Sequence, residues 1–221
     1  MPTTAQTIIT AGYSRSTGND PGKLATDDEL LGRLNRVYQG LYALAARQRP
    51  DEFVTPTALV LVGVTASVAL PVDLIDIRRI QNVTGAKVHL IPVTELERTW
   101  HIPPSVYRSG NTLSSRGRAG DPIAGDTLTT WLLLAGTAVV ALGTVLDATF
   151  PTRHHELLVN DLALYLDAKD EDRSPDQFRK LGADQVQRLA AFAQDYNLDA
   201  AALEFVHGGS TRVPAATGDR S

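Results

Sequence analysis

LTTWLLLAGTAVVALGTVL, residues Leu128 to Leu146, decides the fold: it is 19 residues without a charge, close to the roughly 20 that an apolar helix needs to span a bilayer. Its composition argues the other way. Thr129, Thr130, Gly136, Thr137, Gly143 and Thr144 interrupt the apolar run. Threonine beside tryptophan and leucine suits a pleated, half-buried surface, and Ala135-Gly136 is a turn signal. The stretch therefore reads as two short strands around that turn rather than as a membrane helix.

Working outward, Pro56 to Phe150 consists of β-branched and aliphatic runs separated by Gly, Pro and Asp, which predicts strands at 57–62, 66–70, 74–83, 87–91 and 127–134. Val93 to Trp100 is expected to form a short helix. Arg108 to Gly125, RSGNTLSSRGRAGDPIAG, reads as a long exposed loop suited to flexible contact with a partner, and its deletion is expected to spare the fold.

Helical periods lie on both sides. Leu30, Leu34, Val37, Leu41 and Ala45 recur at helical spacing, joined by Leu31, Tyr38, Tyr42 and Leu44, and predict a helix over 27–47 that stops before Pro50. After Pro151, Leu158, Leu162, Tyr165 and Leu166 share a face, and a last helix carries Phe178, Leu181, Leu189, Phe192 and Tyr196. Three capping boxes mark helix starts: Thr3 with Gln6, Thr26 with Glu29, and Ser174 with Gln177, the last with Pro175 at the first helical position. The fold class expected is α+β, mainly helical. Segments 1–52 and 151–206 form a helical bundle, 53–150 is a β-rich insertion containing loop 108–125, and 207–221 is a flexible tail with too little apolar surface to fold alone. No internal repeat is present.

A chain of 221 residues can bury a core without staples, and it contains no cysteine, so it offers neither a thiolate metal site nor a cysteine nucleophile. The net charge of −4 and pI near 5.7 argue against a protein that holds nucleic acid by neutralising phosphates. MPTTAQTIIT lacks the basic and apolar regions of an export signal, and a protein made and assembled in the cytoplasm is expected.

Each candidate for chemistry has a plainer reading. Gly18 to Leu24 (GNDPGKL) has one residue too few between its glycines for a phosphate loop, and Leu24 stands where Ser or Thr should ligate magnesium. His154, His155 and Glu156 could be metal ligands, but adjacent residues diverge on a helix, and they read as solvated first-turn residues with Glu156 favoured by the helix dipole. Asp167, Asp170, Glu171 and Asp172, interspersed with Lys169 and Arg173, lack the calcium-loop pattern and read as a solvated helix end. Arg116-Gly117-Arg118 is too small for a nucleic-acid footprint, and no Gly-x-Ser-x-Gly elbow occurs. No catalytic, cofactor-binding or metal residue is assigned, no cofactor is expected, and the chain is read as a non-enzyme.

Five stretches, in their order along the chain, carry a resemblance: TTAQTIITAG, ATDDELLGRLNRVYQGLYALAARQRPDEF, ALPVDLIDIRRIQ, VYRSGNTLS and FPTRHHELLVNDLALYLDAKDED. Together they resemble the head-to-tail adaptor (connector) proteins of short-tailed and related phages, over nearly the whole chain up to Phe205. The apolar 132–146 segment and the Gly/Ala-rich tail depart from that texture.

The resemblance implies a structural virion protein located in the neck: a homo-oligomeric ring, usually a dodecamer, beneath the portal protein. Helices would lie near the portal and a β-rich part would face tail or nozzle proteins. DNA would pass through the lumen without specific binding, and no membrane would be involved. The region from Ser174 through the Gly208-Gly209 hinge to Ser221 is expected to act as a portal-binding arm. The alternatives are another neck or tail-completion protein, or a cell-wall hydrolase acting during entry.

Overall fold

A computed structural model describes residues 3–16, 24–96, 104–170 and 174–199. The Gly18–Lys23 loop, Trp100, Glu171, Asp172, the Gly208-Gly209 hinge and the 207–221 tail lie outside these. The described residues are α+β, with four α-helices and two sheets. They divide into two compact units, one within Met1–Arg49 and Gly136–Ser221, the other Pro50–Ala135.

The first unit holds the helices: α1 (Ala5–Arg15), α2 (Asp27–Gln48), α3 (His155–Lys169) and α4 (Pro175–Tyr196). In α2 both arms of the expected capping box are made, Thr26 Oγ1 accepting from the Glu29 N–H and Glu29 accepting from the Thr26 N–H. Its apolar stripe buries Leu30, Leu34, Val37, Leu41 and Ala45. The other two boxes are not formed. α1 is capped by Thr4, whose hydroxyl accepts from the Thr7 N–H, and Ser174 makes no side-chain cap, although Pro175 does open α4.

α3 is packed against all three other helices. One-sided amphipathicity was expected of α3. Instead Leu157, Leu158, Val159, Asn160, Asp161, Leu162, Ala163, Leu166 and Asp167 are all buried, because the helix is enclosed on several sides.

The second strand expected after Ala135-Gly136 does not form. Residues 137–146 run instead as a strap in the helical unit, because their main-chain groups are taken up by helices. Thr144 and Leu142 carbonyls accept from the Ala5 and Gln6 N–H groups that the first turn of α1 leaves unpaired, and the Leu146 N–H donates to Thr3. The Val139 N–H donates to Asn35. Gly136 lies so close to Tyr42 that a Cβ would fall 2.9 Å from its ring. Gly136 to Phe150, read from sequence as part of the β-rich middle, therefore belongs with the helices.

The second unit holds β1 (Val54–Val60), β2 (Ser67–Ala69), β3 (Leu74–Asn82), β4 (His89–Ile91), β5 (Ser105–Ser109), β6 (Thr112–Ser115) and β7 (Thr127–Leu134). One sheet has the order β1-β7-β3, all antiparallel; the other is β2-β6-β5-β4, with β4 and β5 parallel. Leu128, Thr130 and Leu132 of β7 alternate inward as the strand reading requires. Pro56 sits in edge strand β1, where no ladder donor is missed.

In β3 the buried Ile77 and Ile80 are three residues apart, a spacing that would face opposite ways in a regular strand. A register shift between Ile77 and Arg79 turns both inward. One aliphatic cluster, including Leu61, Ile80, Val106, Leu113, Leu128 and Leu132, forms the core of this unit.

The long loop expected over 108–125 is half structure. Ser105–Ser109 and Thr112–Ser115 pair as a two-residue hairpin, with Gly110 at φ +57° in its turn, a glycine placement that matches a type II′ turn. The remainder is anchored by the buried carboxylate of Asp121, which accepts from the Ser105 N–H and Oγ, each at 2.8 Å, and from the Arg118 N–H at 3.1 Å. Deletion of 108–125 would therefore remove strand β6 and the Asp121 anchor as well as loop. Within Val93 to Trp100 the described residues form a single 3-10 turn, Val93–Glu95.

Candidate functional site

Apolar side chains left in water are the clearest candidate interaction features. Most of the large ones belong to the β-rich unit. Val60 pairs with Thr127 and Asn82 with Leu128, so the loops after β1, after β3 and before β7 leave the same end of the sheet. Those loops carry Val62, Val64, Val83 and Ile123, all exposed, with Val64 fully so. Gly63 at φ +74° and Ala66 at φ +43° shape the turn that presents Val62 and Val64. On the outward side of the sheet the Arg79 guanidinium lies 4.8 Å from the ring of its cross-strand partner Trp131.

The helical unit is fastened by polar side chains of α3 that together reach all three other helices. Asn160 accepts from Arg15 of α1 and donates to Asp184 of α4. Asp161 accepts twice from Arg33 of α2, at 2.7 and 2.6 Å. Ser16, just past α1, donates to Asp167 at 2.6 Å. The Asp161 hydrogen bond raises the Arg33 pKa above the usual arginine value. Tyr38 of α2 donates to Asp147 at 2.7 Å, and burial, followed by that hydrogen bond, holds its phenol protonated.

His154 and His155 are buried rather than solvated. His155 stacks on Phe150 at 5.8 Å and shares a 3.1 Å hydrogen bond with Thr3, while His154 meets Phe192 edge-on at 4.9 Å and lies 3.2 Å from Asp195. Burial lowers both imidazole pKa values. For His154 the adjacent Arg153 charge acts in the same direction, against Asp195. Glu156 pairs with Arg15 at 2.6 Å. The sequence placed these three in a first turn, but not the two histidines among aromatic rings, of which Phe150 stands just before them and Phe192 and Tyr196 about forty residues further on.

Asp167, read as part of a solvated end, is fully buried, and Asp170 caps α3. Among the described residues no three His, Asp or Glu side chains converge as metal ligands, and no helix is long and apolar enough to cross a membrane. Sequence reasoning missed the loop-tip valines. Their signal was a valine set beside turn glycines in Val62-Gly63-Val64 and Val83-Thr84-Gly85.

What the arrangement offers is surface: a fastened helical unit, and a β-rich unit with apolar loop tips. No curated protein gives a significant match to the chain. The family model described as SU10 adaptor protein matches residues 3–217, across both units. The chain therefore belongs to the SU10 adaptor protein family, phage adaptors that are structural proteins of the virion.

Proposed function

We propose that the protein forms a ring beneath the portal that joins capsid to tail and lets DNA pass. The observation that carries this reading is the family match extending over both units rather than over one. In the ring the four helices act as a bundle on the portal side, together with the chain that follows α4. The β-rich unit faces tail or nozzle proteins, and its exposed loop-tip valines suit a surface that a partner covers. The net charge of −4 suits a lumen through which DNA slides, since a basic lining would retain phosphates.

Electron microscopy of the virion neck tests the proposal. Several copies arranged in a ring between portal and tail are expected. A single copy, or copies located away from the portal, would overturn it.

A further inference from the structure

α4 is the least enclosed helix of its unit. Of its 22 residues only Gln185, Phe192 and Tyr196 are buried. Phe178, Leu181 and Leu189, which complete the same stripe, are half-buried. A second stripe at helical spacing, Ala183, Val186 and Ala190, faces solvent, with Val186 58% exposed. Above this small apolar strip stand Arg179, whose pair to Asp176 is loose and exposed, and the exposed Lys180. An amphipathic helix gains most of its stability from burying its apolar side, and here that side is only partly covered.

The opposite charge lies at the N-terminus of another helix of the same unit. α3 packs against both α2 and α4, and α2 and α4 meet at their C-terminal ends, where the Arg49 guanidinium lies 5.6 Å from the Tyr196 ring. The first turn of α2 exposes Asp27 and Asp28, followed one turn on by Gly32, around which there is open space for close approach. A basic flank with a small apolar strip and an acidic flank with a glycine are complementary surfaces on one molecule. Such a contact is head-to-tail, and repeated with a closing rotation it makes a ring.

We propose that the outer face of α4 docks on the N-terminal half of α2 in the next copy of this chain, with Arg179 and Lys180 facing Asp27 and Asp28. The proposal rests on the ring reading above and says which faces make the ring. Both flanks are exposed, so charge reversal there leaves the fold intact, as circular dichroism should verify.

The test uses the full-length chain, measured by native mass spectrometry and by copy number in isolated necks. Lys180→Glu and Asp28→Lys should each weaken subunit association by about tenfold or more, and the double variant should recover most of it. Val186→Glu should disrupt association with no rescue by Asp28→Lys. A wild-type neck holding isolated single copies would overturn the ring reading and this contact with it. A multimeric wild type whose assembly ignores all these variants would overturn the contact alone.

Discussion

The two units keep their polar groups in opposite ways. The helical unit buries ionisable side chains, His154, His155, Asp161 and Asp167, and uses them to tie one helix to the next. The β-rich unit surrounds an aliphatic cluster, and the one buried charge among its described residues, Asp121, holds a loop. Helices meet one another only through side chains, so buried polar pairs can fix which helix lies where. Strands are already registered by their backbone ladder, and the side chains need only fill space.

That contrast can be broken by experiment. Asp161→Ala should have the largest effect, destabilising the helical unit by about 3 kcal/mol, because it leaves Arg33 half-buried without its bidentate partner. Urea denaturation checks it, and Arg33→Met with Asp161→Leu should recover much of the loss. Asp121→Ala strands the Ser105 and Arg118 donors and should cost about 2 kcal/mol, with amide exchange accelerating in 116–126 before the core strands. Loss of protection throughout the unit at once would show that the loop is not a separate element.

Acid should separate the units further. The folded pKa values of His154 and His155 lie below the ordinary 6.5. Their contribution is therefore complete above about pH 6.5 and diminishes as pH falls below it, because the unfolded chain takes up the protons first. Thermal melts at pH 7.5 and 5.0 should show the helical unit losing stability over that window, and His155→Gln should reduce the slope. The smallest effect is expected at Gly110→Ala, about 1 kcal/mol from φ +57°, read as a lowered urea midpoint for the β-rich unit alone.

How much of this was legible in the sequence follows the same division. α2 and its cap could be read because the apolar period and the Thr26–Glu29 box are local. β7 could be read because its alternation survives among leucines. The β5–β6 hairpin was hidden by its Arg, Ser, Gly and Asn content, although Gly110-Asn111 between two short runs was a usable signal. The roles of Asn160 and Asp161 were not legible, since a polar residue on a helix looks solvated until Arg15 and Arg33, more than a hundred positions earlier, are placed beside it. The candidate interaction surfaces were the least legible part, because exposure of Val64 or Val186 is a property of the whole fold.

The strap that caps α1 has a consequence for the order in which the chain matures on the ribosome. The carbonyls of Leu142 and Thr144 that complete the first turn of α1, and the α3 side chains that hold its far end, are translated only after the whole of Pro50–Ala135 has emerged. The β-rich unit is contiguous and has all its strands available by then, so it can close first while α1 and α2 wait. The earliest-made helices are thus among the last parts to be secured.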